Sequence, residues 1–404
     1  MPSPRRVLLA DPLYHVHSIL HYRASLGSAG FEQTEFTVLT SVFSDEEERR
    51  LETFRQSQPR LTVRLRERHE VIASRTQCWR HYLQAMRQVE GMLAQQEFDL
   101  VIYIMADHVL PIFALPMARP FFPHHFSVGV RGLVFRHNGL RQTATSVRGR
   151  LLEFFDRWVL GRALRSGAFR RVAFLDREAA RRARALEKTP LCIEGIDPVD
   201  IPDSDRSRAR TRFALSPEDF VFLLFGSFDD RKGFIETLEV IRDTALPHER
   251  IVVLIAGLGD AEFIARLEAV IATCRYRVVL HNQFIPDADL PDYFAAADCV
   301  VCAYKNFVAS SGVLLHGASA GNLAIVSSGG VMADDVREFG FGEVVSVEDR
   351  AGFGASVQRL MNLTLAERSR MSEGALAYAR SRDSRFYMTQ FLTAEEHASV
   401  ERSS

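Results

Sequence analysis

Residues 220–257 read FVFLLFGSFDDRKGFIETLEVIRDTALPHERIVVLIAG. The apolar runs 220–226 and 250–257 have the length of buried strands, and neither alternates with polar residues. A strand apolar on both faces belongs to a parallel sheet covered by helices on both sides. The segment 233–244 between them reads as the covering helix. The alternation continues toward the C-terminus: helix 261–273, strand 277–281, helix 289–297, strand 299–303, helix 312–321, strand 324–327. Toward the N-terminus it is fainter: strand 7–10, helix 17–30, strand 36–39, helix 75–95, strand 99–105. Such alternation predicts an α/β fold of two doubly wound, Rossmann-like parallel sheets facing a cleft, with the chemistry at the carboxyl ends of the strands. The segment 193–205, with Pro198, Pro202 and several acids, reads as a linker between domains 1–192 and 206–375. Residues 376–404 are expected to be helices that cross back to the first domain.

Hydrophobic residues make up 47% of the 404 and charged residues 25%, which excludes disorder as the main state. A net charge of −1 gives no global case for nucleic-acid binding. No apolar run reaches the roughly 18 residues of a membrane span. The apolar core near the start is too short for a signal peptide, so a cytoplasmic location is expected. The five cysteines are scattered and odd in number, which argues against a disulfide framework. Cys299 and Cys302 are read as buried strand residues rather than zinc ligands, because no matching pair stands near.

Two segments carry chemistry. In FGSFDDRKG, 225–233, Arg231 and Lys232 stand just before a helix start, where a cation and the helix dipole together attract phosphate. A solvated charged loop is the plain alternative. In AYKNFVASSGVLLHGASAG, 303–321, Ser310, Ser311 and Gly312 begin a helix. Their backbone N–H groups could hold a diphosphate, and His316 lies one turn on. The plain alternative is an ordinary capped helix.

Together these pieces resemble the nucleotide-sugar domain of GT-B glycosyltransferases, most closely retaining family 4. The resemblance spans about 150 residues. It rests on Gly226 with Arg231, Lys232 and Gly233, on Ala256, Gly257 and Gly259, on IPDADLPDYFAAADCVVCAY at 285–304, and on Ser310–Ser311–Gly312 followed by a small-residue helix to Gly321 and a loop at 327–330. It implies a sugar transfer from a nucleotide-diphosphate-sugar donor to an acceptor hydroxyl, with the retention of configuration usual in that family, and no metal or other cofactor. Lys232, with Ser310, Ser311 and Gly312, would hold the diphosphate. Phe284 would lie against the base and His316 near the ribose. The departures are specific. Val308 and His316 stand where the family commonly has glutamates, and Ser227 stands where it commonly has an arginine, a role Arg231 could take.

In the first half, Asp11, His15 and His17 follow the first strand, and Asp107 and His108 follow the strand at 99–105. Both loops are expected to open to the cleft. His108 resembles the N-terminal-domain histidine of the family, and Asp11 or His15 would be the base if transfer inverts. Residues 131–190 hold 15 Lys and Arg against 5 Asp and Glu. Within them Phe154, Phe155 and Trp158 have amphipathic spacing. The favoured reading puts these aromatics in the core beneath a solvated basic face. The other reading is a helix resting on an anionic membrane, or a patch for an acidic or lipid-linked acceptor. Two further functions use the same scaffold: a sugar-nucleotide epimerase, which needs paired acids that the sequence does not show, and a GT-B-like nucleotide-binding scaffold, which loss of both glutamates would suit.

Overall fold

The computed structural model describes residues 5–12, 18–42, 44–68, 75–95, 98–135, 137–141, 146–187, 192–200 and 205–393. The chain divides into two compact units, one of residues up to Pro198 together with those from Ser384, the other Val199–Asp383.

The first unit holds a seven-stranded sheet: β1 (Arg6–Asp11), β2 (Glu35–Val42), β3 (Leu61–Arg68), β4 (Leu100–Tyr103), β5 (Val130–Val134), β6 (Phe169–Phe174) and β7 (Cys192–Glu194). Its order is β3-β2-β1-β4-β5-β6-β7, every pair parallel. Side chains alternate between the two faces. Leu8, Ala10, Val101 and Tyr103 enter one core, and Val7, Leu9, Leu100 and Ile102 the other. That division explains the unbroken apolar runs.

The second unit repeats the plan with β8 (Phe220–Phe225), β9 (Ile251–Gly257), β10 (Arg277–Asn282), β11 (Cys299–Cys302), β12 (Leu323–Ser327) and β13 (Gly342–Val345), in the order β10-β9-β8-β11-β12-β13. Here Val221 and Leu223 face one layer and Phe220, Phe222 and Leu224 the other. Asp298 ties the unit's first helix, Arg206–Arg212, to the sheet. It accepts from Arg206 at 2.6 Å, from Arg210 at 2.7 Å and from the Val221 backbone at 2.8 Å. Cys299 and Cys302 are fully buried in β11, as strand residues.

In both sheets the winding reverses beside the first strand, between β1 and β4 and between β8 and β11. Those two crevices are where ligands of doubly wound sheets bind.

Two boundaries differ from the sequence expectation. Residues 193–194, at the head of the expected linker, belong to β7 and pair with β6. The helix Leu365–Arg380 belongs to the second unit, and the chain rejoins the first at Ser384 rather than at 376. There Tyr387, Met388 and Phe391 fill the core beside Ile19 and Tyr22. Among the described residues no helix is long and apolar enough to cross a membrane.

Candidate functional site

The crevice of the second unit is built from the ends of β8 and β11. Gly226 follows β8 with φ +106, and a Cβ there would lie 2.2 Å from the Lys232 Nζ. The absence of a side chain is what lets the ammonium settle against the strand end. Lys232 closes the single turn Asp230–Lys232 and is 8% exposed. Its Nζ donates to the Phe225 carbonyl at 2.9 Å. Burial holds its pKa below the ordinary lysine value.

Tyr304, two residues beyond β11, collects the rest. The Lys232 Nζ stands 5.6 Å from its ring centroid and the Arg231 guanidinium 5.4 Å. Arg231 also lies 5.2 Å from the Phe307 ring and 3.4 Å from the Asp229 carboxylate. The Tyr304 hydroxyl is 3.4 Å from the Ser311 Oγ. Ser311 is the N-cap of the helix Gly312–Ser319, yet its hydroxyl makes no cap hydrogen bond. The first-turn N–H groups therefore have no side-chain cap. Two cations and a helix mouth thus meet on one aromatic ring. Beneath it, burial pushes the Cys302 thiol up to about 11, while the Tyr304 and Ser311 hydroxyls pull it down.

Residues 205–377 match the family model described as Glycosyl transferases group 1. The chain has the GT-B fold, and its second unit is similar to the group 1 glycosyl transferases. Sucrose-phosphate synthase from Thermosynechococcus elongatus superposes with a TM-score of 0.70 over 99% of this chain and 100% of its own, at 15% identity. An α,α-trehalose-phosphate synthase (UDP-forming) from Burkholderia vietnamiensis gives 0.65 over 99% of both chains at 11% identity. Anabaena HepE in complex with UDP gives 0.64 over 98% of this chain and 99% of that one, at 14% identity. At these identities the likeness is one of fold. No curated protein matches the enzyme by sequence.

The other residues singled out in the glycosyltransferase domain lie around this cluster or apart from it. Ser227 is exposed beside it, its Oγ 3.3 Å from Asp229. Ser310 and Gly312 flank Ser311 and are part-buried. His316 stacks on Phe294, centroids 5.4 Å apart. Phe284 is half-exposed in the loop after β10, two strands from β8 and so about 10 Å away. Val308 packs against the loop after β12: a Cβ on Gly330 would meet its Cα at 2.5 Å, and its carbonyl accepts from Val331 at 3.0 Å. Sequence reasoning missed Tyr304 and Phe307, and placed Ser327 only within the 327–330 loop. The aromatic pair three residues apart just past a strand end was the available signal for both. Ser327 ends β12 and carries a buried hydroxyl with no partner among the described residues.

In the first unit, His15 lies outside the described residues, as does His17. His108 ends the turn Ala106–His108 and stacks on Tyr82 at 4.7 Å, and burial lowers its pKa, which keeps the imidazole neutral at pH 7. Neighbouring Asp107 accepts from the Phe135 backbone at 3.0 Å. Asp11 does not open to solvent as expected. It is the last residue of β1 and is completely buried, because the helix Ser18–Gly27 brings Ser18 and Tyr22 over it. Its Oδ2 accepts from Ser18 at 2.7 Å and from Tyr22 at 2.5 Å, and its Oδ1 has no partner among the described residues. Burial pushes Asp11 up to about 6, against the downward pull of those two hydroxyls. A second buried chain, unforeseen from sequence, runs from Glu90 to His125 Nδ1 at 2.6 Å and from His125 Nε2 to Tyr103 at 2.8 Å. Burial lowers the His125 pKa, so the ring is neutral, donates to Glu90 and accepts from Tyr103.

The Asp11 shift sets a stability dependence. Between 3.8 and about 6 the folded carboxyl keeps a proton that the unfolded chain has released. Its contribution is therefore complete below the lower value and lost as pH rises through the upper one. The unfolding free energy of the native chain, less that of Asp11→Asn, is expected to fall by about 3 kcal/mol across this window. Parallel pH profiles from urea titrations of the two proteins would contradict it.

Proposed function

We propose that the enzyme moves a sugar from a nucleoside-diphosphate sugar to an acceptor hydroxyl, with retention and without a metal ion, in glycan or glycoconjugate synthesis. The observation that carries this reading is the meeting of Arg231, Lys232 and the uncapped helix start on Tyr304, inside the crevice of a group 1 domain. Phosphate oxygens would replace the Phe225 carbonyl as partner of Lys232 and take the first-turn N–H groups of the helix. Fixed donors and cations aimed at a leaving diphosphate stabilise the charge that develops as the glycosidic bond breaks. A departing phosphate oxygen then takes the acceptor proton on the same sugar face, which is the route to retention.

Solved neighbours support uridine as the first base to test: HepE was solved with UDP and with UDP and glucose, and a trehalose-phosphate synthase from Burkholderia xenovorans with glucose-6-phosphate. The acceptor in this reading is a sugar or lipid-linked glycan hydroxyl. Val308 offers the donor sugar no side-chain bond and its carbonyl is already used. Recognition of the sugar therefore falls to the 327–330 loop, where Ser327 has a hydroxyl to give.

Screening UDP-sugars by UDP release identifies the donor, and the anomeric configuration of the product reads the stereochemistry. An inverted product, or a rate abolished by a chelator, overturns the corresponding part of the proposal. UDP binding with no transfer from any nucleotide sugar would return the scaffold reading. His316→Ala is expected to raise the donor KM about tenfold with kcat nearly unchanged, the mark of a uniform binding contact. An unaltered KM places the imidazole outside the ribose site.

A further inference from the structure

The helix Val147–Arg165 of the first unit is capped by Ser146, whose Oγ accepts from Gly149 at 3.0 Å. Along its first three turns the apolar side chains stand in solvent. Val147, Leu151, Phe154, Phe155 and Trp158 are 49–68% exposed. At 100° per residue these five positions form one stripe about 100° wide. The expectation that the aromatics enter the core is therefore overturned: the helix packs through Leu160, Ala163 and Leu164 instead.

Charge is sorted around the stripe. Arg148 borders one side, Arg150 and Arg157 the other, and Arg162 and Arg165 continue it at the C-terminal end. The two acids lie on the opposite side. Glu153 is buried, and Asp156 packs on Gly139, where a Cβ would meet its Cβ at 2.8 Å. The patch extends onto a second segment, in which Leu115, Met117 and Phe121 are also exposed. Arg162 Nε donates to the Ala114 carbonyl at 3.1 Å, and Leu115, Pro116, Arg119, Trp158, Arg162 and Arg165 line one groove.

We infer that this face docks the enzyme on an anionic lipid surface. A patch of this extent marks an interaction site. The stripe and groove hold no carboxylate and are bordered by arginines, which matches a bilayer whose headgroups are phosphates. The aromatic and aliphatic side chains enter the acyl boundary while the guanidinium groups stay at headgroup level. Each arginine near such a surface strengthens binding about fivefold.

The test uses the full chain and vesicles of phosphatidylcholine, alone or mixed with phosphatidylglycerol. Co-sedimentation is expected only with the mixed vesicles and to fall as salt rises. Arg150→Gln with Arg157→Gln should weaken it about thirtyfold, and Phe155→Ser with Trp158→Ser by at least about tenfold. Arg150, Phe155 and Trp158 are exposed and Arg157 is partly exposed, so the far-ultraviolet spectrum and melting temperature should stay as in the native chain. Trp158 is one of two tryptophans. In a Trp79→Phe background its emission should shift to the blue on mixed vesicles and be quenched by brominated acyl chains. Absence of vesicle binding overturns the inference. So does equal, salt-insensitive binding to neutral vesicles, or a dimer in solution that the Phe155 and Trp158 substitutions dissolve while vesicles are ignored.

Discussion

Lys232→Met should weaken UDP binding about a thousandfold, roughly 4 kcal/mol, and leave uridine binding within about twofold. Methionine keeps an unbranched stem against Tyr304 and removes only the charge. The Lys232 ammonium is almost enclosed, so a phosphate meeting it does so with little screening. Its one hydrogen bond in the crevice is to the Phe225 carbonyl, a neutral acceptor that a phosphate outcompetes. Burial lowers its pKa, so the ammonium is lost at a lower pH than for an ordinary lysine. UDP affinity in the native enzyme should accordingly decline on the alkaline side before the ordinary lysine value of 10.5 is reached, and the methionine variant should lack that decline. Calorimetric titration with UDP and with uridine separates the outcomes. Equal weakening of both ligands means that the lysine supports the fold of the crevice and does not contact the diphosphate.

Gly257→Ala should destabilise the second unit by roughly 4 kcal/mol, lowering its melting temperature by about 10 °C. Gly257 ends β9 with φ +146, and a Cβ there would stand 1.9 Å from the Gly226 carbonyl oxygen and 3.0 Å from the Phe228 ring. Backbone cannot yield as a flexible side chain does. The neighbouring bonds, Gly226 N to Ala256 at 2.9 Å and Gln283 N to Gly257 at 2.7 Å, tie three strand ends to this point. Separation would move Gly226 and with it the turn that carries Lys232, so UDP affinity should fall alongside stability. Gly340→Ala is the comparison. Its φ is +66 with nothing within 4 Å of the added carbon, so it should cost only about 1 kcal/mol. A Gly257→Ala protein no less stable than Gly340→Ala would show that the strand ends are freer than they stand here.

The second unit was the more legible because β8, β9 and β11 are buried on both faces and read as unbroken apolar runs. β3 gave no such signal. Its LTVRLRER alternates with arginines, as suits an edge strand, and Leu65 is exposed. β7 has only three residues and runs into Pro198, so its pairing with β6 is decided by tertiary contact. The site divides in the same way. Arg231, Lys232 and Ser311 could be picked out because each sits at a strand or helix end. Their convergence on Tyr304 could not, since it depends on where β11 lies relative to β8. Asp11 shows the reverse failure. An acid after a strand reads as open, and only the helix over it makes it buried. The stripe on Val147–Arg165 is plain as a periodicity, but periodicity does not say whether a face turns inward or outward.

The chain leaves the first unit after Pro198 and rejoins it at Ser384, and Val199 and Asp383 form a bridge where the second unit begins and ends. On the ribosome this orders assembly. The second unit is continuous and has all its strands once residue 383 has emerged. The first must wait for Tyr387, Met388 and Phe391 to complete the layer around Ile19 and Tyr22. The half of the enzyme made earliest is thus finished last, and until then its unfilled apolar layer is the part of the nascent chain most in need of a chaperone.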